Sequence, residues 1–316
     1  MLFSLPFARL VFSLQAVRSG RLPPYKGSVL RGALGHSFRR LSCHTRGGSC
    51  LGCMFGSRCP YAYVFETTAA ALPGNFNHHY IPRSFIIEPP VDGRTDYEAG
   101  EKLEFTLLLL GRGLDYLPHF ITSFERAAAV GLGAGRVPFA LTAVDGLRQG
   151  RHLPLWRGGD RLLAEPEPED LADLAAGGPP GAGAQDTVTL EFLTPTRLVN
   201  DGQATAALDF PLFMRSVFRR LDLLGRAHGK GPLELPFGEL LARAGGVALT
   251  DARLAWSDWA RYSHRQKKQV LMGGLTGSFT AGGDLEPFDP FIRMAEVVHV
   301  GKGTVYGMGK MGVVRA

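Results

Sequence analysis

The sequence predicts an α+β protein in which the order β-α-β-β-α-β is used twice. Three observations predict it. Each half opens on residues of period two and passes to residues of helical period. Each half closes on an amphipathic helix, a glycine-rich turn and a strand, over Phe120 to Val144 and again over Pro290 to Val314. Between the halves lies a stretch rich in proline, glycine and glutamate. The expected organisation is a first domain over 1–157, a linker or mobile loop over 158–185, and a second domain over 186–316 that ends in a glycine-rich loop.

The first half begins with an alternating run. Leu10, Phe12 and Leu14 share one face, and Arg9, Ser13 and Gln15 the other, as in a half-buried strand. Gly20 and Pro23-Pro24 break it. From Ser28 to Leu41 the period is helical, with Leu30, Leu34, Phe38 and Leu41 on one side and Ser28 as the expected N-cap. Tyr80 to Ile87 and Lys102 to Leu110 alternate again. Leu117, Phe120, Ile121 and Phe124 mark a second helix, which stops at Gly131-Leu132-Gly133 before a strand from Val137 to Val144.

The second half repeats the scheme. Val188, Leu190 and Phe192 alternate, and Asp209 with Pro211 opens a helix carrying Phe213, Val217, Leu221 and Leu224. Strand-like runs lie near Ala252 to Trp259 and Val270 to Thr280. Asp289 and Pro290 start a short helix through Glu296.

Composition narrows the function classes. With 316 residues, 45% hydrophobic and 20% charged, the chain can bury a full core. Its net charge of +6 favours a polyanionic partner, most simply nucleic acid. No run reaches the roughly 18 apolar residues of a membrane span, and Met1 to Gln15 lacks the charged start of a signal peptide. A cytoplasmic location and no membrane partner are expected.

All four cysteines fall in one insertion at about 43–61, as Cys43-x6-Cys50-x2-Cys53-x5-Cys59. Four thiolates suit a structural zinc or, with the same donors, an iron–sulfur cluster; free thiols and disulfides stay open.

The terminal stretch Gly301-Lys302-Gly303-Thr304-Val305-Tyr306-Gly307-Met308-Gly309-Lys310-Met311-Gly312 supplies close-approach glycines at Gly301, Gly303, Gly307 and Gly309, and a base-stacking ring at Tyr306. Lys302 and Lys310 add charge, and successive N–H groups in such a turn suit phosphate oxygens. The Gly-x-x-x-x-Gly-Lys-Ser/Thr nucleotide pattern is absent, so a polymer backbone fits better than a nucleotide. A second basic stretch, Arg261-Tyr262-Ser263-His264-Arg265-Gln266-Lys267-Lys268, lies between two strands. There Arg261, Arg265, Lys267 and Lys268 suit phosphates, and Tyr262 or His264 suits stacking. Arg31, Arg39 and Arg40 add charge to the first helix.

These residues resemble a known family. Tyr25-Lys26-Gly27-Ser28-Val29-Leu30-Arg31-Gly32-Ala33, the Gly131-Leu132-Gly133 turn, Tyr262 to Gly277 and above all Gly301 to Gly312 look like the CRISPR-associated repeat-RNA processing endoribonucleases of the RAMP superfamily. The resemblance covers most of the chain. It implies tandem ferredoxin-like domains, binding of CRISPR repeat RNA, and one metal-independent cut in each repeat. The ribose 2′-OH attacks the adjacent phosphate, leaving a 2′,3′-cyclic phosphate and a 5′-hydroxyl. No cofactor is implied for catalysis.

The resemblance also implies a histidine on or just after the first helix. His36 and His44 match that region, and His44 is preferred because a loop at a helix end reaches a ligand readily. Tyr25 and Lys26 are the expected helpers. Two other readings stand beside this one. A non-cutting RNA-binding subunit of a CRISPR effector complex would share the fold, and the cysteine segment could dock a protein partner. A metal-dependent nuclease has no carboxylate cluster to support it. Monomer and homodimer are both compatible with the sequence.

Overall fold

The computed structural model describes residues 3–45, 48–56, 58–67, 81–160, 163–176, 187–263 and 268–314. Two compact units emerge. One comprises Leu5–Glu169 with Ala227–Gly229, the other Met1–Ser4, Asp170–Arg226 and Lys230–Ala316.

The first unit runs β1 (Pro6–Ala16), α1 (Gly27–Ser42), β2 (Phe85–Glu88), β3 (Lys102–Leu110), α2 (Leu117–Val130), β4 (Phe139–Arg148) and β5 (Arg151–Arg157). Five strands of its sheet have the order β2-β3-β1-β4-β5, each neighbouring pair antiparallel. The first strand therefore sits between the third and fourth, as a ferredoxin-like unit requires. The alternation in β1 translates directly into burial: Leu10, Phe12 and Leu14 are fully buried while Gln15 is exposed. Phe12 stacks on Phe105 of β3 at 5.3 Å and meets Phe124 of α2 at 5.1 Å. On α1, Leu30, Leu34 and Phe38 have no exposure. Each such side chain contributes about 1.5–3 kcal/mol on leaving water.

In the second unit, β6 (Thr187–Thr196), α3 (Phe210–His228), β7 (Ala248–Ser263), β8 (Lys268–Gly282), α4 (Asp289–Val298) and β9 (Met311–Val314) follow in turn. The sheet order β7-β8-β6-β9 is the same ferredoxin-like order. Phe192, Phe213 and Phe279 cluster between sheet and helices at 5.4–6.2 Å. The hairpin β7–β8 outruns its neighbour. β6 pairs with β8 only from Leu275 to Gly282, whereas β7 and β8 stay paired out to Ser263 and Lys268.

Several local expectations change. Helix α1 begins at Gly27 with Lys26 as its N-cap and no side-chain cap bond, so Ser28 lies inside the helix. Strand β5 and the eight-residue helix Phe237–Ala244 were not expected. Part of the stretch read as a linker is structured, with a strand at Glu169–Asp170 and a helix at Leu171–Ala176 in which Leu171 is buried. Among the described residues no helix is long and apolar enough to cross a membrane.

Candidate nucleic-acid interface

Helix α1 has two faces with different tasks. Leu30, Leu34 and Phe38 turn into the core, while Gly32, His36 and Arg40 are exposed at successive four-residue intervals. Residues four apart on a helix stand about 5–6 Å apart at Cβ. The exposed face thus presents an imidazole and a guanidinium one turn apart. A Cβ at Gly32 would meet nothing within 4 Å, so no packing inside the protein calls for glycine there.

The expected helpers lie elsewhere. From Lys26 to His36 the helix advances about 15 Å, too far for both to serve one phosphate. Lys26 has no exposure, and its ammonium donates to Pro24 O, Asp92 Oδ1 and Arg94 O at 3.2, 3.1 and 2.7 Å. All three of its hydrogens are committed, so Lys26 pins the loop before α1 and has no donor left for RNA. Burial pushes the Tyr25 phenol well above its ordinary range, which keeps it a neutral hydroxyl.

At the other end of α1, Cys43, Cys50, Cys53, Cys59, Arg39 and His44 line one cavity. The His44 ring stands 5.8 Å from that of Phe55. Arg39 donates to Gly48 O at 2.7 Å and lies over the Tyr61 ring at 5.5 Å. Its guanidinium is held further up by a hydrogen bond with Cys43, and burial, followed by Glu66, pushes the Cys50 thiol up. Arg39 is thus engaged by the cysteine segment and turned from the exposed face of α1. Arg31 lies over the Phe65 ring at 5.3 Å.

In the second unit the glycine-rich loop is folded upon itself. The N–H groups of Lys302, Tyr306, Gly307 and Gly309 donate to Arg197 O, Gly303 O, Thr304 O and Pro195 O, and that of Lys310 to Thr194 Oγ1. These donors are not available for phosphate oxygens, which corrects the expectation of a row of N–H groups. At Gly309, with φ +75°, a Cβ would lie 1.9 Å from Val300 O; at Gly301, with φ +84°, it would lie 2.5 Å from Arg197 O. These glycines serve close packing of the protein's own backbone.

Side chains carry what charge the loop offers. Partial burial, with Arg219 next, lowers the Lys302 pKa although the side chain stays exposed at the surface. Arg197 forms a backbone bridge with Lys302, and its guanidinium donates to Leu271 O at 3.2 Å. Arg197 and Arg219 were missed from the sequence. The spacing of Arg215 and Arg219, four apart on the exposed side of α3, was the available signal. Tyr306 and Lys310 are half-buried. Arg261 and Tyr262 lie near the end of β7, and Lys268 opens β8. His264, Arg265 and Lys267 lie outside the described residues.

Comparison with known proteins bears on both units. Residues 5–168 match the AF_1859_N family of N-terminal domains, and residues 190–311 match the family described as CRISPR-associated endoribonuclease Cas6. The chain belongs to the AF_1859_N family over its first half and matches the Cas6 family over its second. It is a Cas6-type protein of CRISPR repeat-RNA processing. Among solved structures, the Thermus thermophilus Cas6 (TTHB231) product complex is 20% identical with a TM-score of 0.57, over 98% of this chain and 100% of that one. The Cas6 (TTHA0078) product complex is 18% identical at 0.55, over 98% and 100%. A partial Cas6-RT-Cas1–Cas2 complex is 13% identical at 0.62, covering 100% of this chain and 47% of that one. These likenesses establish the tandem ferredoxin-like fold. No curated sequence matches the chain.

Proposed function

We propose that this Cas6-family endoribonuclease cuts CRISPR repeat RNA without a metal ion, by attack of the ribose 2′-OH on the adjacent phosphate. The carrying observation is the pair His36 and Arg40 on the exposed face of α1. The reaction needs a proton taken from the 2′-OH and one returned to the leaving 5′ oxygen. An imidazole suits either transfer near neutral pH. A guanidinium suits the negative charge that grows on the phosphate. The products are a 2′,3′-cyclic phosphate and a 5′-hydroxyl.

His36 replaces His44 as the preferred proton-transfer group for a physical reason. A reacting group must be held to a fraction of an ångström. His36 stands between the buried residues Gly35 and Ser37 on a helix packed along its length, whereas His44 follows the helix end among the cysteines. Lys302, Arg197, Arg219 and the basic end of the β7–β8 hairpin would bind the RNA backbone by charge. Assembly with other CRISPR proteins, as in the neighbouring Cas6-RT-Cas1–Cas2 complex, fits the same reading.

The test is cleavage of repeat RNA from the same locus in excess EDTA, read on a denaturing gel. A 2′-deoxy residue at the cut should abolish it. His36→Ala should lower the rate by about 10²–10⁴-fold with binding retained. His44→Ala should cut at near the parent rate; the opposite result would return the role to His44. Tight binding without any cut would favour a non-catalytic RNA-binding subunit.

A further inference from the structure

The segment after α1 has the means to hold a metal ion and little else to hold its shape. From Cys43 to Arg58 the one buried position among the described residues is Gly56, which has no side chain. Leu51 and Met54 are 82% and 86% exposed. A hydrophobic core is therefore absent from the described part of this excursion, and its exposed apolar residues work against a stable loop. Yet the backbone is ordered into successive turns. Cys53 N donates to Cys50 O at 3.3 Å, Gly56 N to Cys53 O at 2.9 Å and Arg58 N to Phe55 O at 3.0 Å.

Those turns bring the four cysteines to the wall of one cavity. Cys43 caps α1, with its N–H bonded to Arg39 O. Cys50 and Cys53 flank a turn in which Gly52 has φ +77°. Cys59 accepts from Tyr63 N as the next helical turn begins. All four line a cavity of about 20 Å³, room for a single water-sized occupant. No aspartate or glutamate lines it, which disfavours calcium and magnesium; Arg39 does, and its charge would offset half of the double negative charge of a divalent ion with four thiolates.

We propose that Cys43, Cys50, Cys53 and Cys59 bind one zinc ion in a closed tetrahedral site that fixes the segment to the end of α1. Among the described residues no three cysteine, histidine or carboxylate side chains are already gathered as an ion site. Binding therefore draws the thiols inward, through side-chain rotation and contraction of the cavity, and releases their protons to solvent. The ion is structural. With four thiolates bound it keeps no open position for water or substrate, so it has no place in RNA cleavage.

The full-length protein, purified without chelator, should contain one zinc per chain by elemental analysis. Blocking its thiols with a mercurial should release that zinc to a chromogenic chelator. Replacing zinc with cobalt should give strong sulfur-to-cobalt charge-transfer absorption. Cys50→Ser/Cys53→Ser should lower the zinc content at least fivefold. If that variant fails to fold, the mercurial and cobalt measurements on the parent protein still decide. Iron with visible cluster absorption, two disulfides by mass spectrometry, or four thiols that react freely in metal-free protein would each overturn the proposal. None of these readouts depends on RNA cleavage.

Discussion

The glycine-rich loop near the C-terminus and the cysteine segment after α1 look alike in sequence and differ in what holds them. Both are short, turn-rich and supplied with glycines at positive φ. In the loop, Met308 and Thr304 are buried, His299 Nδ1 donates to Met308 O at 3.0 Å, and Gly301 and Gly309 sit where a Cβ would strike backbone. In the segment, a Cβ at Gly48 or Gly52 would meet nothing within 4 Å. One region is locked by its own packing. The other is an open frame around four thiols. Glycine content alone does not tell the two apart; the atoms facing the missing Cβ do.

The strongest way to break that comparison is Gly309→Ala. Its Cβ would fall on Val300 O, at a φ that alanine adopts poorly. A loss of about 3 kcal/mol or more is expected in urea unfolding. Gly52→Ala, at a similar φ but in open space, should cost only about 1 kcal/mol. Equal losses would mean that the two regions are held in the same way.

The two ends of α1 give the next contrast. At the N-terminal end, Lys26→Met leaves two carbonyls without their donor, while Asp92, half-exposed, regains water. The expected loss is about 2 kcal/mol, by the same unfolding measurement. A loss below the error of the measurement would show that the buried ammonium does not pin the loop.

Gly32→Ala sharpens the functional side. An exposed glycine inside a helix costs about 1 kcal/mol relative to alanine, so the variant should be more stable by that amount. If the open face of α1 is where RNA lies, the same variant should bind repeat RNA more weakly. Greater stability with unchanged binding would remove Gly32 from the interface.

The smallest effect is a pH slope. Burial lowers the His119 pKa below 6.5, and its ring stacks on Phe38 at 5.7 Å. The unfolded chain then binds the proton at a higher pH than the folded one. Stability should fall as pH drops from about 6.5 towards the lowered value and be fully present above it. His119→Phe should flatten that part of the melting-temperature profile; an unchanged slope would assign it to other groups.

Most of the architecture was legible because burial follows period. Phe12, Leu34, Phe105 and Phe192 all stand where alternation or helical spacing puts them. Strand β5 was not legible, since its exposed arginines and central proline hide the alternation at a sheet edge. The pair His36 and Arg40 is visible as a four-residue spacing beside Gly32, while the reach of a loop at a helix end favours His44; burial along α1, which separates the two, is not written in either spacing. The fate of Lys26 was hidden for a different reason. Its carboxylate partner is 66 residues away, and no local pattern marks a lysine destined for burial. In the same way, the glycines of Gly301 to Gly312 signal close approach without saying to what.

The overhang of the β7–β8 hairpin has a mechanical consequence. Past Leu275 the ribbon is no longer paired with β6, and Arg197, bonded to Leu271 O, is a side-chain stay near its root. Such a ribbon is a cantilever. Its ladder of hydrogen bonds resists stretching along the strands, but with a sheet neighbour on neither side it bends out of plane at little cost. Arg261 and Lys268 ride towards its far end. In the proposed reading, a segment so mounted would follow the bends of a polyanion instead of requiring the polyanion to match a rigid wall.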